Sequence, residues 1–165
     1  MLPNWEERPI TVAHLLNPAF CGEIIRRCSQ SYKEKHLKSR SLPYPLCFIV
    51  MPLVLHKEIR NNLPKTAGRN FIDWIESNQS IKMEMPRLTK ILVPYTREAL
   101  MFLMKYEIVD FSQNGEIDVY VKSKGKVIID RSEVEQCFSK AELVGRWFAH
   151  AGSYQSIYTS FGMKP

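Results

Sequence analysis

Residues 45–55, Pro-Leu-Cys-Phe-Ile-Val-Met-Pro-Leu-Val-Leu, form the longest apolar run in the chain, eleven residues without a charge. A bilayer span takes about 20 apolar residues, so this run is too short to cross a membrane and has to be buried in a folded domain. Leu42-Pro43-Tyr44-Pro45 opens the segment, and Pro52 within it limits any helix to two short pieces. Around it, 165 residues with 45% apolar and 24% charged content are ordinary for one soluble globular domain. That composition excludes disordered, collagen-like and low-complexity chains. Residues 1–7 carry no basic stretch leading into an apolar core, so no secretory signal is readable. The expectation is a cytoplasmic protein without a membrane segment.

Helical signals dominate the first two thirds. Asn17-Pro18 supplies an N-cap and a proline at the first helical position. In the helix that follows, Phe20, Ile24 and Cys28 share a face with Ile25 beside them, and Glu23, Arg26, Arg27 and Lys33 lie outside. Residues 33–41 have almost no apolar content and read as a solvated loop, and residues 61–68, with Pro64, as a connector. Phe71, Ile72, Trp74 and Ile75 form the apolar side of a short helix ending near Ser77-Asn78. A second covers residues 86–92, Pro94 interrupts it, and Thr96 caps a third with Glu98 in its first turn. Leu100, Leu103 and Met104 make its inner stripe, widened by Met101 and Phe102, so protein should nearly encircle it.

The period then becomes strand-like. Asn114-Gly115 is a turn signal, with alternation at Ile117, Val119 and Val121, a turn at residues 122–125 and another strand over 126–130. Ser132 with Glu135 and Ser139 with Glu142 each match a capping box. The second is read as starting a helix through His150, closed by Gly152, with a last short helix over 154–161. Three short helices followed by a β-hairpin is the order of a winged-helix domain. The expected fold is α+β, mainly helical, a single domain over residues 1–165. It comprises an N-terminal helical extension (1–41), a winged-helix-like core (42–131) and C-terminal helices (132–165).

Chemistry is sparse. No GxSxG, HExxH, phosphate-cradling glycine loop or kinase-like set is present, and the seven glycines are unclustered. Cys21, Cys28, Cys47 and Cys137 include no CxxC and read as buried reduced thiols. His14, His36, His56 and His150 show no metal-ligand spacing. Pairing Cys21 with His14 or His56 as nucleophile and base has no local signature behind it. The chain is expected to be no enzyme and to carry no metal or cofactor.

Lysine and arginine outnumber the acids 23 to 17, a net charge of +6. The excess gathers at Lys33, Lys35, His36, Lys38 and Arg40, at Lys57, Arg60, Lys65 and Arg69, and at Lys122, Lys124 and Lys126. Such patches suit phosphate backbones or acidic protein surfaces, although solvated faces are the commoner reason for them. Lys122, Lys124 and Lys126 are the candidates for weak contact with a DNA backbone.

The segment Arg146-Trp147-Phe148-Ala149-His150-Ala151-Gly152-Ser153-Tyr154 packs large aromatics beside a cation and small residues. Arginine with aromatics is typical of interface anchors, though Trp147 and Phe148 can equally close a core. Arg146, Trp147, His150 and, in the tail, Lys164 are the candidate partner-binding residues.

With these residues the chain resembles the small middle-component subunits of bacterial three-component ABC-ATPase systems, the group that includes Lamassu-type anti-phage defence. The resemblance is carried by residues 15–21, by 52–57 with Arg60 and Leu63-Pro64, by 93–100, and by Lys140-Ala141 with 145–149 and 151–153. The closing Gly162-Met163-Lys164-Pro165 is also similar, while residues 113–126 match weakly. It implies a non-catalytic adaptor that holds an effector, a nuclease or other toxic enzyme, against an SMC-like ABC ATPase until foreign DNA is sensed. The complex would then meet double-stranded DNA without sequence preference. The alternative is a stand-alone winged-helix DNA-binding regulator. Its reading helix, residues 97–106, is rich in Leu and Met rather than in the polar side chains that read base edges.

Overall fold

The structure is a computed structural model that describes residues 2–120 and 132–165. Asn17 caps the first long helix as its sequence requires: Oδ1 accepts from the amides of Ala19 at 2.8 Å and Phe20 at 3.4 Å. A 3-10 turn at Trp5–Glu7 and α1 (Ile10–Leu15) precede that helix, α2 (Pro18–Lys35). β1 (Leu42–Pro43), α3 (Leu46–Leu55), α4 (Lys57–Asn62), α5 (Phe71–Glu76) and α6 (Gln79–Lys105) follow. The chain continues through β2 (Val109–Phe111), β3 (Glu116–Val119), α7 (Glu133–Phe148) and α8 (Tyr154–Ser160). The described residues are thus α+β and mainly helical, and no helix among them is long and apolar enough to cross a membrane.

Helix α2 packs most extensively against α7 and next against α6, so the segments expected as terminal additions supply the central helix pair. Ile24, Ile25 and Cys28 are fully buried, as their spacing implied. Arg26, expected on the outer face, is buried, because Glu23 and Gln30 on its own helix satisfy its guanidinium. The helix also runs two residues past the expected loop start, to Lys35. The loop after it is solvated as expected, with Leu37 to Arg40 exposed, and is tied down at its end: buried Ser41 donates to Asp118, and Arg40 donates to Glu116 at 2.7 Å.

The apolar run forms one helix, α3, despite Pro52. An internal proline costs about 3 kcal/mol, but Leu46 to Val54 are all buried, and that burial outweighs one lost hydrogen bond. Arg60, read as part of a surface patch, lies buried at the end of α3. It donates to the carbonyls of Val54 at 2.8 Å and Leu55 at 3.2 Å and pairs with Glu133.

The same correction applies to α6, a single 27-residue helix containing Pro86 and Pro94, where two shorter helices were expected. Ile81, Met85, Thr89, Thr96, Ala99, Leu100 and Leu103 bury one continuous side of it against the core. Thr96 is no cap; its hydroxyl donates back to the Leu92 carbonyl at 2.9 Å. Nor is the end of this helix encircled, since Met101 and Met104 are exposed. The two helices expected over residues 86–92 and 97–106 are therefore parts of one helix directly ahead of the β2–β3 hairpin.

The sheet has strand order β1-β3-β2, antiparallel throughout, with Ile117 opposite both Leu42 and Phe111. Gly115, at φ +70°, makes the turn that Asn114-Gly115 signalled. The turn and strand expected over residues 122–130 lie outside the described residues. Ser132, not Ser139, caps α7 by accepting from the Glu135 amide at 3.3 Å, and Ser139 lies within the helix. The helix stops at Phe148, short of the expected His150. Gly152, at φ +94°, turns the chain into α8, whose Tyr158 hydroxyl donates to the Pro45 carbonyl at 2.6 Å.

Candidate partner interface

Gly145 decides where the last turn of α7 sits. Without a side chain there, the backbone of α7 lies directly against the Cys28 carbonyl of α2. Trp147, two residues on, therefore points into the core and is 1% exposed. Its indole N–H donates to the Arg69 carbonyl at 2.7 Å, and its ring meets Phe71 and Trp74 at 4.8 and 5.1 Å between centroids. Of the two roles open to Trp147, the structure shows the core one, with almost none of the ring exposed.

Arg146 stays at the surface, 36% exposed, and terminates a charge ladder between α2 and α7. Glu23 accepts from Arg26 and from Arg27, each Nε at 2.6 Å, and Arg27 Nη1 reaches across to Glu142 at 2.9 Å. Burial pushes the Glu23 carboxyl up, but the hydrogen bonds and charges of Arg26 and Arg27 hold it below its ordinary value. The Arg27 guanidinium also lies over the Phe138 ring, 4.6 Å from its centroid. Glu142 is thus engaged already, and Arg146 touches it only at 4.0 Å. Three guanidinium groups face two carboxylates, and the surplus cation is the outermost one.

His150 follows in the turn after α7 and is exposed. It lines a cleft of about 890 Å³ that the linear sequence did not reveal. The opposite wall comes from the end of α2 and the loop behind it: Tyr32, His36, Lys38 and Arg40, with Tyr44 and Tyr154 completing it. Tyr32 stacks on His36 at 5.3 Å between centroids, so two of these rings are held in place. The only hint in the sequence is the tyrosines flanking the basic cluster at residues 33–40. Lys164 is exposed in the tail, which a Met163 amide to Tyr158 carbonyl bond of 2.9 Å anchors. Lys122, Lys124 and Lys126 lie outside the described residues.

All four cysteines are free and buried. Burial pushes Cys21 up to about 12, which leaves no thiolate near neutral pH. His14, the other half of that nucleophile–base pairing, is exposed. Among the described residues, no three His, Cys, Asp or Glu side chains come together as a metal site.

No curated protein and no solved structure matches the chain. A family model described as ABC-three component (ABC-3C) system Middle Component 3 matches residues 5–165. A match of that length, over a helix pair, cleft and tail that all fall inside it, places the chain in a family: it belongs to Middle Component 3 of the ABC-three component systems.

Proposed function

We propose that the chain is a non-catalytic adaptor that links an SMC-like ABC ATPase to an effector in a cytoplasmic, Lamassu-type anti-phage complex. The observation that carries this reading is a cleft lined by tyrosines, histidines and Arg40, with the surplus guanidinium of Arg146 four residues before its His150. Arginine next to rigid aromatic surface is the composition of an interface hot spot, and a planar guanidinium takes a partner carboxylate in two-point geometry. Family membership supports a role inside a multi-component assembly. Buried, protonated thiols offer no nucleophile, which supports an adaptor over an enzyme.

The regulator reading has less behind it. The helix that would read bases is the end of α6, and its exposed side interrupts the cations Arg97 and Lys105 with Met101 and Met104, which offer base edges no hydrogen bond. Contact with double-stranded DNA through Lys122, Lys124 and Lys126 is kept as a weak, sequence-independent property of the whole complex.

The test is co-purification of the ATPase and effector subunits with Arg146→Ala, circular dichroism confirming the fold. Arg146 makes only the long contact to Glu142, so the monomer stays folded. Complex formation weakens by about 2 kcal/mol, roughly 30-fold, as loss of a hot-spot residue does. Retention of both subunits at wild-type levels in moderate salt would remove this surface from the interface.

A further inference from the structure

An adaptor has to engage two partners, and α6 presents a face well away in sequence from the C-terminal cleft. Along it Arg87, Lys90, Pro94, Arg97, Met101 and Met104 recur at alternating steps of three and four. That is the 3.5-residue period of a seam between two helices. All but the half-buried Pro94 are exposed, and this stripe lies opposite the buried side of the helix. Met83, one step before Arg87, is 81% exposed, and Met101 is 68% exposed.

The charges on this face are one-sided. Arg87 is held by Glu84, and Glu98 is taken by Arg8, whose Nη atoms fork onto it at 2.8 and 2.6 Å. Lys90 and Arg97 make no ion pair among the described residues. The Arg8 pair also pins the N-terminal segment beside α6, because Arg8 Nε donates to the Pro3 carbonyl at 3.0 Å. The same guanidinium sits 5.3 Å from the Trp5 ring centroid and holds that half-exposed indole at the edge of the face. Between this strap and α6 lies a groove of about 700 Å³, lined by Trp5, Lys90, Pro94, Arg97 and Met101.

We propose that this groove and the outer face of α6 seat an acidic amphipathic helix of a partner subunit, its carboxylates opposite Lys90 and Arg97. Its apolar residues would pack on Met101, Met104 and Trp5. The stripe from residue 83 to 104 spans about 30 Å, the length of a helix of about six turns. A DNA backbone fits less well, since exposed methionines and a tryptophan gain nothing from phosphate. A second copy of this chain would set cation against cation. The proposal rests on the adaptor reading.

The experiment uses the complex of this chain with its ATPase and effector. A benzophenone amino acid in place of Met101 is irradiated, and the cross-linked peptide is sequenced. In parallel, the double variant Lys90→Glu and Arg97→Glu is titrated with each partner subunit. The expected result is one cross-linked stretch in one partner, with acidic residues at helical spacing, and at least a tenfold loss of that partner in the double variant. Lysines replacing the facing carboxylates should recover most of that loss. Cross-links to DNA, to a second copy or to a stretch without acids overturn the proposal, as does unaltered binding of both partners by the double variant. Should the double variant misfold, the Met101 cross-link alone decides. If both subunits are retained and Met101 cross-links to neither, the α6 proposal falls and the adaptor reading stands. If the wild-type chain captures neither subunit, both fall.

Discussion

A single methyl group at Gly145 should loosen the centre of the fold. An added Cβ there would lie 2.2 Å from the Cys28 carbonyl oxygen and 3.0 Å from its carbon, both backbone atoms of α2. A carbon–oxygen approach is ordinarily no closer than about 3.3 Å, so α2 and α7 would have to part by about 1 Å. Overpacking of that kind costs roughly 1–3 kcal/mol, here at the upper end because backbone cannot rotate aside. Alanine regains about 1 kcal/mol of helix propensity over glycine, leaving a net loss of about 2 kcal/mol. For a domain of this size that lowers the melting temperature by about 4–8 °C. Thermal and urea unfolding followed by circular dichroism measure it directly. Gly22→Ala is the control: its Cβ would meet Leu103 Cδ2 at 3.0 Å, a side-chain methyl that can swing away. That variant should stay within about 0.5 kcal/mol of wild type as propensity offsets the strain. A Gly145→Ala protein as stable as wild type would refute the close approach on which the placement of Trp147 and Arg146 rests.

The charge ladder gives stability a pH dependence of definite sign. The Glu23 carboxyl is held below its ordinary 4.5 in the folded state, so its contribution is present above that value and drains away as pH falls below it. Glu23→Gln should therefore be less stable than wild type near pH 7, with the gap closing as urea titrations are carried into acid. All four cysteines should be silent to Ellman's reagent in the native protein near pH 8 and react after unfolding; a fast native thiol would contradict their burial. Charge reversal at Lys122, Lys124 and Lys126 together should reduce the salt slope of DNA binding by the complex by about two to three. An unchanged slope would leave these lysines as solvated charges only.

What could be read from the chain by itself was what depends on neighbours within a few residues. Asn17 caps α2 through amides two and three positions on, and Asn114-Gly115 makes a turn because Gly115 takes a positive φ. The burial of residues 46–54 was equally legible, since an uncharged run has nowhere else to go. The resemblance to middle components was legible too, and the family match over residues 5–165 supports it.

Tertiary packing decided the rest, wherever a local preference of a few kcal/mol met a sum of distant contacts. Pro52, Pro86 and Pro94 each argue for a break, and each lies inside a helix, because one lost bond is small against a long buried face. Two capping boxes compete for α7, and Ser132 wins where Glu133 reaches Arg60 and the Cys137 thiol reaches the Val54 carbonyl at 3.8 Å. Trp147 goes inward and Arg146 outward because Gly145 lets two backbones touch, a contact between residues 28 and 145 that no local pattern encodes. The cleft around His150 and the groove beside α6 likewise join segments distant in the chain. Caps and turns are short-range and can be read along the sequence; surfaces are sums over partners that only the folded chain brings together.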